Sequence, residues 1–525
     1  MNHFISGILK IALLEAACAL LVVDRLIERL APARYVRARQ LAFAALAMLA
    51  VFAFVNYGQF HGTGRLVHVW EQYHFYLGAK YQNEVGWFDL YKATLLADRE
   101  TVQALSRVTQ IRDLATFELV PVEEALRDAT RVRGRFSDQR WAQFKQDWAT
   151  MSRQRGDWTP IVQDHGNSNS PAWSLFATPI ANGLPFNPRT QQIIGALDVV
   201  LLFILWGFLY RTFGTRTASI GLVIASSLPI VFNYLAGSFL RWDWLFAVGL
   251  AAGFLKRDRY ATAGAFFGYA VATKLFPVFF GVALLARAIY AAIQTRRIPG
   301  QYLRFGAGAV ASLALLVALS SAMFGTPKVW SEYKRRIDVA RAEKYYPIQY
   351  SLRTVYLQVA ASAPGEFLRT WAFPREIQQA RPEVDAADHR AGFLAAQLLF
   401  TALLLLAVRR ADDVSAFTLG PLLVFVWLTV NMYYWNMLGL TALGLALRKE
   451  RPAFGALLGL HLILALYYLY QHTNRGFSEA YFVSVLLGVW IIGFGLAELA
   501  VWRPRGFGPP ASGSGGPCRL ARPGS

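Results

Sequence analysis

The chain has 525 residues, of which 55% are hydrophobic and 14% aromatic, and it carries a formal net charge of +20. Such a composition excludes an ordinary soluble domain and points to a polytopic membrane protein. The excess of Lys and Arg lies in the connectors between apolar runs, a pattern that orients membrane proteins, so no nucleic-acid module is indicated.

The first apolar run, FISGILKIALLEAACALLVV, contains Lys10 and Glu15 and no small-residue cleavage site before the arginines that follow. It reads as a retained anchor or interfacial helix. Cys18 and Cys518 stand near opposite ends of the sequence, without the spacing of a disulfide framework or metal knuckle. Further apolar runs of about 15 to 20 residues recur, continuous and not alternating, which predicts helical spans and not a barrel. Basic clusters mark alternate connections: Arg25 to Arg39, Arg211 and Arg216, Lys256 to Arg259, Arg296 to Arg304, Arg409 and Arg410, Arg448 to Arg451, and Arg503 and Arg505. These belong on the cytoplasmic side. The expectation is an all-α polytopic helical membrane protein with about 13 transmembrane helices and two long extracytoplasmic loops.

In chain order, residues 1–57 form N-terminal anchor helices and 58–191 a first extracytoplasmic region. Residues 192–323 form a transmembrane bundle, 324–391 a second extracytoplasmic loop, 392–502 a C-terminal bundle and 503–525 a disordered cytoplasmic tail rich in Gly, Pro and Ser. In the first loop region, ETVQALSRV, PVEEALRDATRV and SDQRWAQFKQDW read as short amphipathic helices, and DHGNSNSP and NGLPFNP as turns. Residues 261–292 carry basic flanks on both sides and so predict a hairpin of short helices with Lys274 and Pro277 at its outer tip. No internal repeat is evident, which weighs against a carrier built from repeated halves.

Several residues at the outer boundary could carry chemistry. On helical spacing, WEQYHFYLGAKY places Glu71, His74, Gly78 and Tyr81 on one face, with Lys80 roughly opposite. A partly desolvated carboxylate there suits a general base toward a hydroxyl, whereas an interfacial aromatic belt with a solvated Glu71 and His74 is the plainer reading. Lys274 suits a phosphate facing the bilayer or, alternatively, snorkels at the end of a short helix. Arg241 and Asp243, in GSFLRWDWLF, pair with each other or meet a polar ligand. Arg353 follows Tyr345, Tyr346 and Tyr350 and suits a phosphate or sugar, with cation–π packing as the alternative. Tyr433, Tyr434 and Trp435, between Asn431 and Asn436, suit sugar rings or a belt. No GxxxxGK[ST], HExxH or GxSxG pattern is present.

The order of these features resembles the GT-C class of integral-membrane glycosyltransferases, in particular the polyprenyl-phosphate-mannose-dependent group of glycosyltransferase family 87. The acidic residue, aromatics, glycine and tyrosine of the first large loop, the small-residue helix before AVATKLFP, the stretch QYSLR at Gln349–Arg353 and the YYW before Asn436 are similar to its scattered motifs. The resemblance implies transfer of a hexose such as mannose from a polyprenyl-phosphate carrier to an acceptor hydroxyl, with inversion, at the extracytoplasmic face of a bacterial inner membrane. It implies Glu71 as base in the place of the family's aspartate, aided by His74. Lys274, Arg241, Asp243, Arg353, Tyr434, Trp435, Tyr76 and Tyr81 become substrate contacts. The partners implied are the lipid-linked donor, a lipid or glycan acceptor and membrane lipids. No cofactor is certain; a divalent metal stays open, unsupported by a DxD pair in the loop. A transporter or flippase of lipid-linked or anionic substrates is the alternative, with a binding scaffold as a third.

Overall fold

The structure is a computed structural model that describes residues 3–30, 34–61, 64–228, 236–325, 328–342, 349–360, 390–473 and 479–501. Tyr345, Tyr346, Cys518, the expected tail and much of the expected second loop lie outside the described residues.

Helices dominate because the long apolar runs can satisfy their backbone groups only internally. Among the described residues, eight are long and apolar enough to cross a membrane: Ile5–Leu30, Val36–Phe54, Pro188–Ser226, Val278–Thr295, Gly300–Phe324, Arg390–Arg410, Arg451–His472 and Glu479–Ala500. The chain is thus an all-α protein with the helices of a membrane protein. Four further apolar helices are shorter, namely Asp243–Lys256, Tyr260–Thr273, Gly420–Trp427 and Leu438–Leu447. At about 1.5 Å per residue, none of these is long enough to match a hydrocarbon core of roughly 30 Å. Pro188–Ser226 turns sharply at Gly214, whose φ of 80° only glycine adopts readily, between Arg211 and Arg216. The break falls where the basic pair marks a connector.

Lys274 does end a helix, Tyr260–Thr273, and Pro277 precedes the next, Val278–Thr295. The two arms diverge, however. Tyr260–Thr273 packs chiefly on Gly300–Phe324 and Asp243–Lys256, whereas Val278–Thr295 packs against segments after Arg390. Gly264 and Gly268 make the first of these contacts close: a Cβ on either would meet the backbone oxygen of Phe305 or Ala309. Small residues four apart let helix backbones approach in this way.

Residues 73–162 form a loop domain with a core of its own, built around Tyr73, Leu77, Trp148 and Trp158. Helices form at Val122–Arg133 and at Asp138–Ser152, the latter capped by Ser137 accepting from the Arg140 N–H. ETVQALSRV differs from expectation. It is a run of turns because the Asp98 carboxylate accepts from the Ala104 and Leu105 amides and from the Trp148 indole, at 2.8–2.9 Å. Strands Gln110–Arg112 and Leu119–Pro121 pair antiparallel, and Gln349–Tyr350 pairs with Val430–Asn431.

Replacement of Gly268 by Leu should force the Tyr260–Thr273 and Gly300–Phe324 helices apart and lower stability by about 1–3 kcal/mol. Thermal unfolding of the purified chain in detergent measures it.

Candidate functional site

The Val69–Lys80 stretch is a helix with a wide π turn, Tyr73–Leu77, at its centre. Such a turn holds more residues than an α turn and breaks the 3.6-residue alignment of side chains. Glu71, His74, Gly78 and Tyr81 therefore do not share one face. Tyr73, Leu77 and Tyr81 enter the loop-domain core, while Phe75, Tyr76 and Ala79 enter a smaller core with Trp173, Ile194 and Phe239. Gly78 opens no cleft, since a Cβ there would make ordinary contact with Leu90.

The helix is tied at its start to the segment before Arg241. The His68 N–H donates to the Gly237 carbonyl at 3.0 Å, and the Gln72 side chain donates to the Gln191 and Gly237 carbonyls. Gly237 has φ +81°, and any Cβ would collide with the Leu66 carbonyl. Asp198, fully buried, accepts from the Arg241 and Trp242 amides at 2.7 and 3.1 Å. These bonds deliver the Arg241 side chain to Glu71.

Arg241 ion-pairs with Glu71 and not with Asp243. Its guanidinium lies 4.1 Å from the Tyr433 ring centroid and 5.4 Å from that of Phe75. Lys274 Nζ approaches the same Phe75 ring at 5.8 Å and Tyr434 at 5.9 Å, and donates to Asn169 Oδ1. Only 7% of Lys274 is exposed, so it does not snorkel. Asp243 accepts from Tyr269 at 2.9 Å and from the Trp244 amide. Arg241 Nε and Asn169 Nδ2 are buried donors without a hydrogen-bond acceptor. Two cations and these idle donors make a receptive place for an anion.

The loop Asp164–Ser170, read in the sequence only as a turn, joins this cluster to the loop domain. Ser170 donates to the Ala272 carbonyl at 2.5 Å and caps the Pro171–Asn182 helix. Buried Arg336, from the Lys328–Ala342 helix, donates to the His165 and Asn167 carbonyls. Asp164 accepts from the Trp70 indole at 2.7 Å, and Tyr91 donates to its carbonyl at 3.1 Å while sharing a 2.7 Å hydrogen bond with His74 Nε2. Burial disfavours the Asp164 charge, but hydrogen bonds from His165 and Trp70 outweigh it and hold the carboxyl at about 2. Burial pushes the His74 imidazole down to about 4, so its 3.8 Å approach to Asp164 is not an ion pair at neutral pH. The signal available in the sequence was a carboxylate beside a histidine in a Gly/Asn/Ser loop, which alone carries no direction.

Glu71, Arg241, Lys274, Phe75 and Tyr434 thus converge, with Asp243 near Lys274. Other expected contacts are placed elsewhere. Tyr76 stacks on Phe186 and meets Phe239 edge-on, and Tyr81 donates to Asp147, which also pairs with Lys80 at 2.7 Å. Lys80 therefore joins Tyr81 instead of opposing it. Trp435 is fully buried against Tyr350 and Phe425. Arg353 lies in the first turn of Leu352–Ala360 and joins none of these contacts. His74 faces Tyr91 and Asp164, away from Arg241's pair with Glu71.

Comparison with known proteins finds no matching family model, no matching curated protein and no matching solved structure.

The unfolded chain takes up a proton on His74 near its ordinary value of about 6.5, whereas the folded chain resists until about 4. Protons in that window favour unfolding. Stability should therefore fall as pH drops from about 6.5 to about 4, by at most on the order of 3 kcal/mol, and His74→Gln should lose that part of the profile in pH-resolved thermal unfolding.

Proposed function

We propose that the chain is a membrane glycosyltransferase that moves a hexose from a polyprenyl-phosphate carrier to an acceptor hydroxyl at the extracytoplasmic face of a bacterial inner membrane. The observation that carries this reading is the convergence of Arg241 and Lys274 on one Phe75 ring with the Glu71 carboxylate held against Arg241. A carboxylate next to paired cations, with buried donors lacking acceptors, suits a reaction in which one oxygen loses a proton while another gains charge. The order of motifs resembling the family 87 group supports the same assignment. In this reading the four short apolar helices, the two halves of Pro188–Ser226 and the other seven long helices make a GT-C-like bundle of about 13 spans.

The chemistry follows from the positions. A lipid phosphate entering beside Lys274 would compete with Glu71 for Arg241, because a phosphate offers the guanidinium more acceptor oxygens. Glu71, released next to the bound donor, would accept the proton of the acceptor hydroxyl. The acceptor oxygen would form its bond to the anomeric carbon as the bond from that carbon to the phosphate oxygen breaks, its electron pair leaving with the phosphate. Arg241 and Lys274 would neutralise the charge that accumulates there. A single displacement inverts the anomeric configuration. Tyr434 and Tyr433 would bound the sugar with aromatic faces, and Asp243 would set the position of Lys274 through their mutual charge.

The test is donor consumption by the purified full chain in nanodiscs containing polyprenyl-phosphate-mannose. Glu71→Gln should lower the rate by about 10²–10⁴-fold, the range for loss of a general base, and Lys274→Met should also slow transfer severely. If the wild type consumes no donor, while it and Glu71→Gln move an anionic lipid across the bilayer equally, the enzyme reading fails and the transport reading replaces it.

A further inference from the structure

The Asp164 carboxylate belongs to neither the cation pair nor the Glu71 base, but the helix that carries Glu71 also reaches it. Trp70 and Glu71 are consecutive on the seam helix, and Trp70 donates to Asp164 while Glu71 meets Arg241. Trp70 and His74 both reach Asp164, and Glu71 and Phe75 both reach Arg241. The Tyr433 ring lies on the Arg241 guanidinium. Asn169, in the loop that begins at Asp164, accepts from Lys274. The seam helix and this loop thus link the aspartate to the cations.

We propose that Asp164 binds hydroxyl groups of the acceptor, and that this acceptor is a neutral sugar. The inference rests on the glycosyl-transfer reading for the place of the site in a reaction. A carboxylate accepts about four hydrogen bonds; the indole of Trp70 takes one at 2.7 Å, and His165 also donates to the carboxylate. Its side chain is 23% exposed, so the remaining lone pairs are reachable. An ionised carboxylate only accepts, and therefore selects donors such as sugar hydroxyls. The indole of Trp70, with the Arg155 guanidinium over its ring, borders the Asp164 carboxylate. Its charge repels an acceptor that carries a carboxylate or phosphate at that position. His74, Tyr91 and Arg336 hold the loop and are positioning residues.

Saturation-transfer NMR with the full chain in nanodiscs tests the site without any donor, with methyl α-D-mannopyranoside as probe and methyl glucuronoside as its charged counterpart. The wild type should transfer saturation to the mannoside and at least several-fold less to the glucuronoside. Asp164→Asn should weaken mannoside binding by about tenfold, the expected loss for one hydrogen bond to a charged group, with thermal unfolding confirming the fold. Where that variant does not fold, Asp164→Glu keeps the charge and displaces it, and should change mannoside affinity by a similar factor. No mannoside signal from the wild type, equal binding by the folded variants, or equal binding of the two sugars would overturn the proposal. A wild type that binds the mannoside but consumes no polyprenyl-phosphate-mannose would sink the transfer reading alone.

Discussion

The architecture depends on one buried helix that serves two cores at once. Tyr73, Leu77 and Tyr81 pack into the loop domain, and Phe75, Tyr76 and Ala79 pack toward the Pro171–Asn182 helix and Ile194. An ordinary α-helix presents one apolar stripe. The π turn at Tyr73–Leu77 widens that distribution, so a segment of a dozen residues can join a loop domain to a bundle and still direct Glu71 at Arg241. Turns of this kind are often found at functional sites.

The charged groups explain why the joint must be rigid. Arg241 is 3% exposed and Lys274 is 7% exposed, and isolated cations at such depth are strongly disfavoured. Each is accommodated by a carboxylate or amide and by aromatic faces: Glu71, Phe75 and Tyr433 for Arg241, Asn169, Phe75 and Tyr434 for Lys274. The shared Phe75 ring couples the two. Arg241 nevertheless keeps an idle Nε, and Asn169 an idle amide nitrogen.

The loop Asp164–Ser170 is what closes the arrangement. It receives Trp70 at one end and Lys274 at the other, while Arg336 caps its carbonyls from the Lys328–Ala342 helix and Ser170 fastens it to the Ala272 carbonyl. Segments far apart in the chain therefore meet at seven residues that lack regular structure. A loop positioned by rigid neighbours in this way commonly carries binding or chemistry.

Composition and the length of apolar runs were sufficient for the helical membrane class, because the bilayer imposes a length and a backbone requirement that any sequence must display. Helix ends were legible too: Lys274 and Pro277 stand between helices, and Arg211 and Arg216 flank the break at Gly214. Glu71, Arg241, Lys274 and Tyr434 were legible as polar or aromatic residues out of place in apolar surroundings. Their pairing was not. Regular helical spacing put Glu71 with His74 and Tyr81, which the π turn separates; ETVQALSRV looked helical until Asp98 claimed its amides; and Asp164 had no local mark at all. Periodicity reports only what neighbours along one helix share, whereas an ion pair, a π turn and a loop held from four directions are settled by which distant segments pack together. Residue type and the length of the apolar helices came from the sequence by itself, and partnership came from the tertiary structure alone.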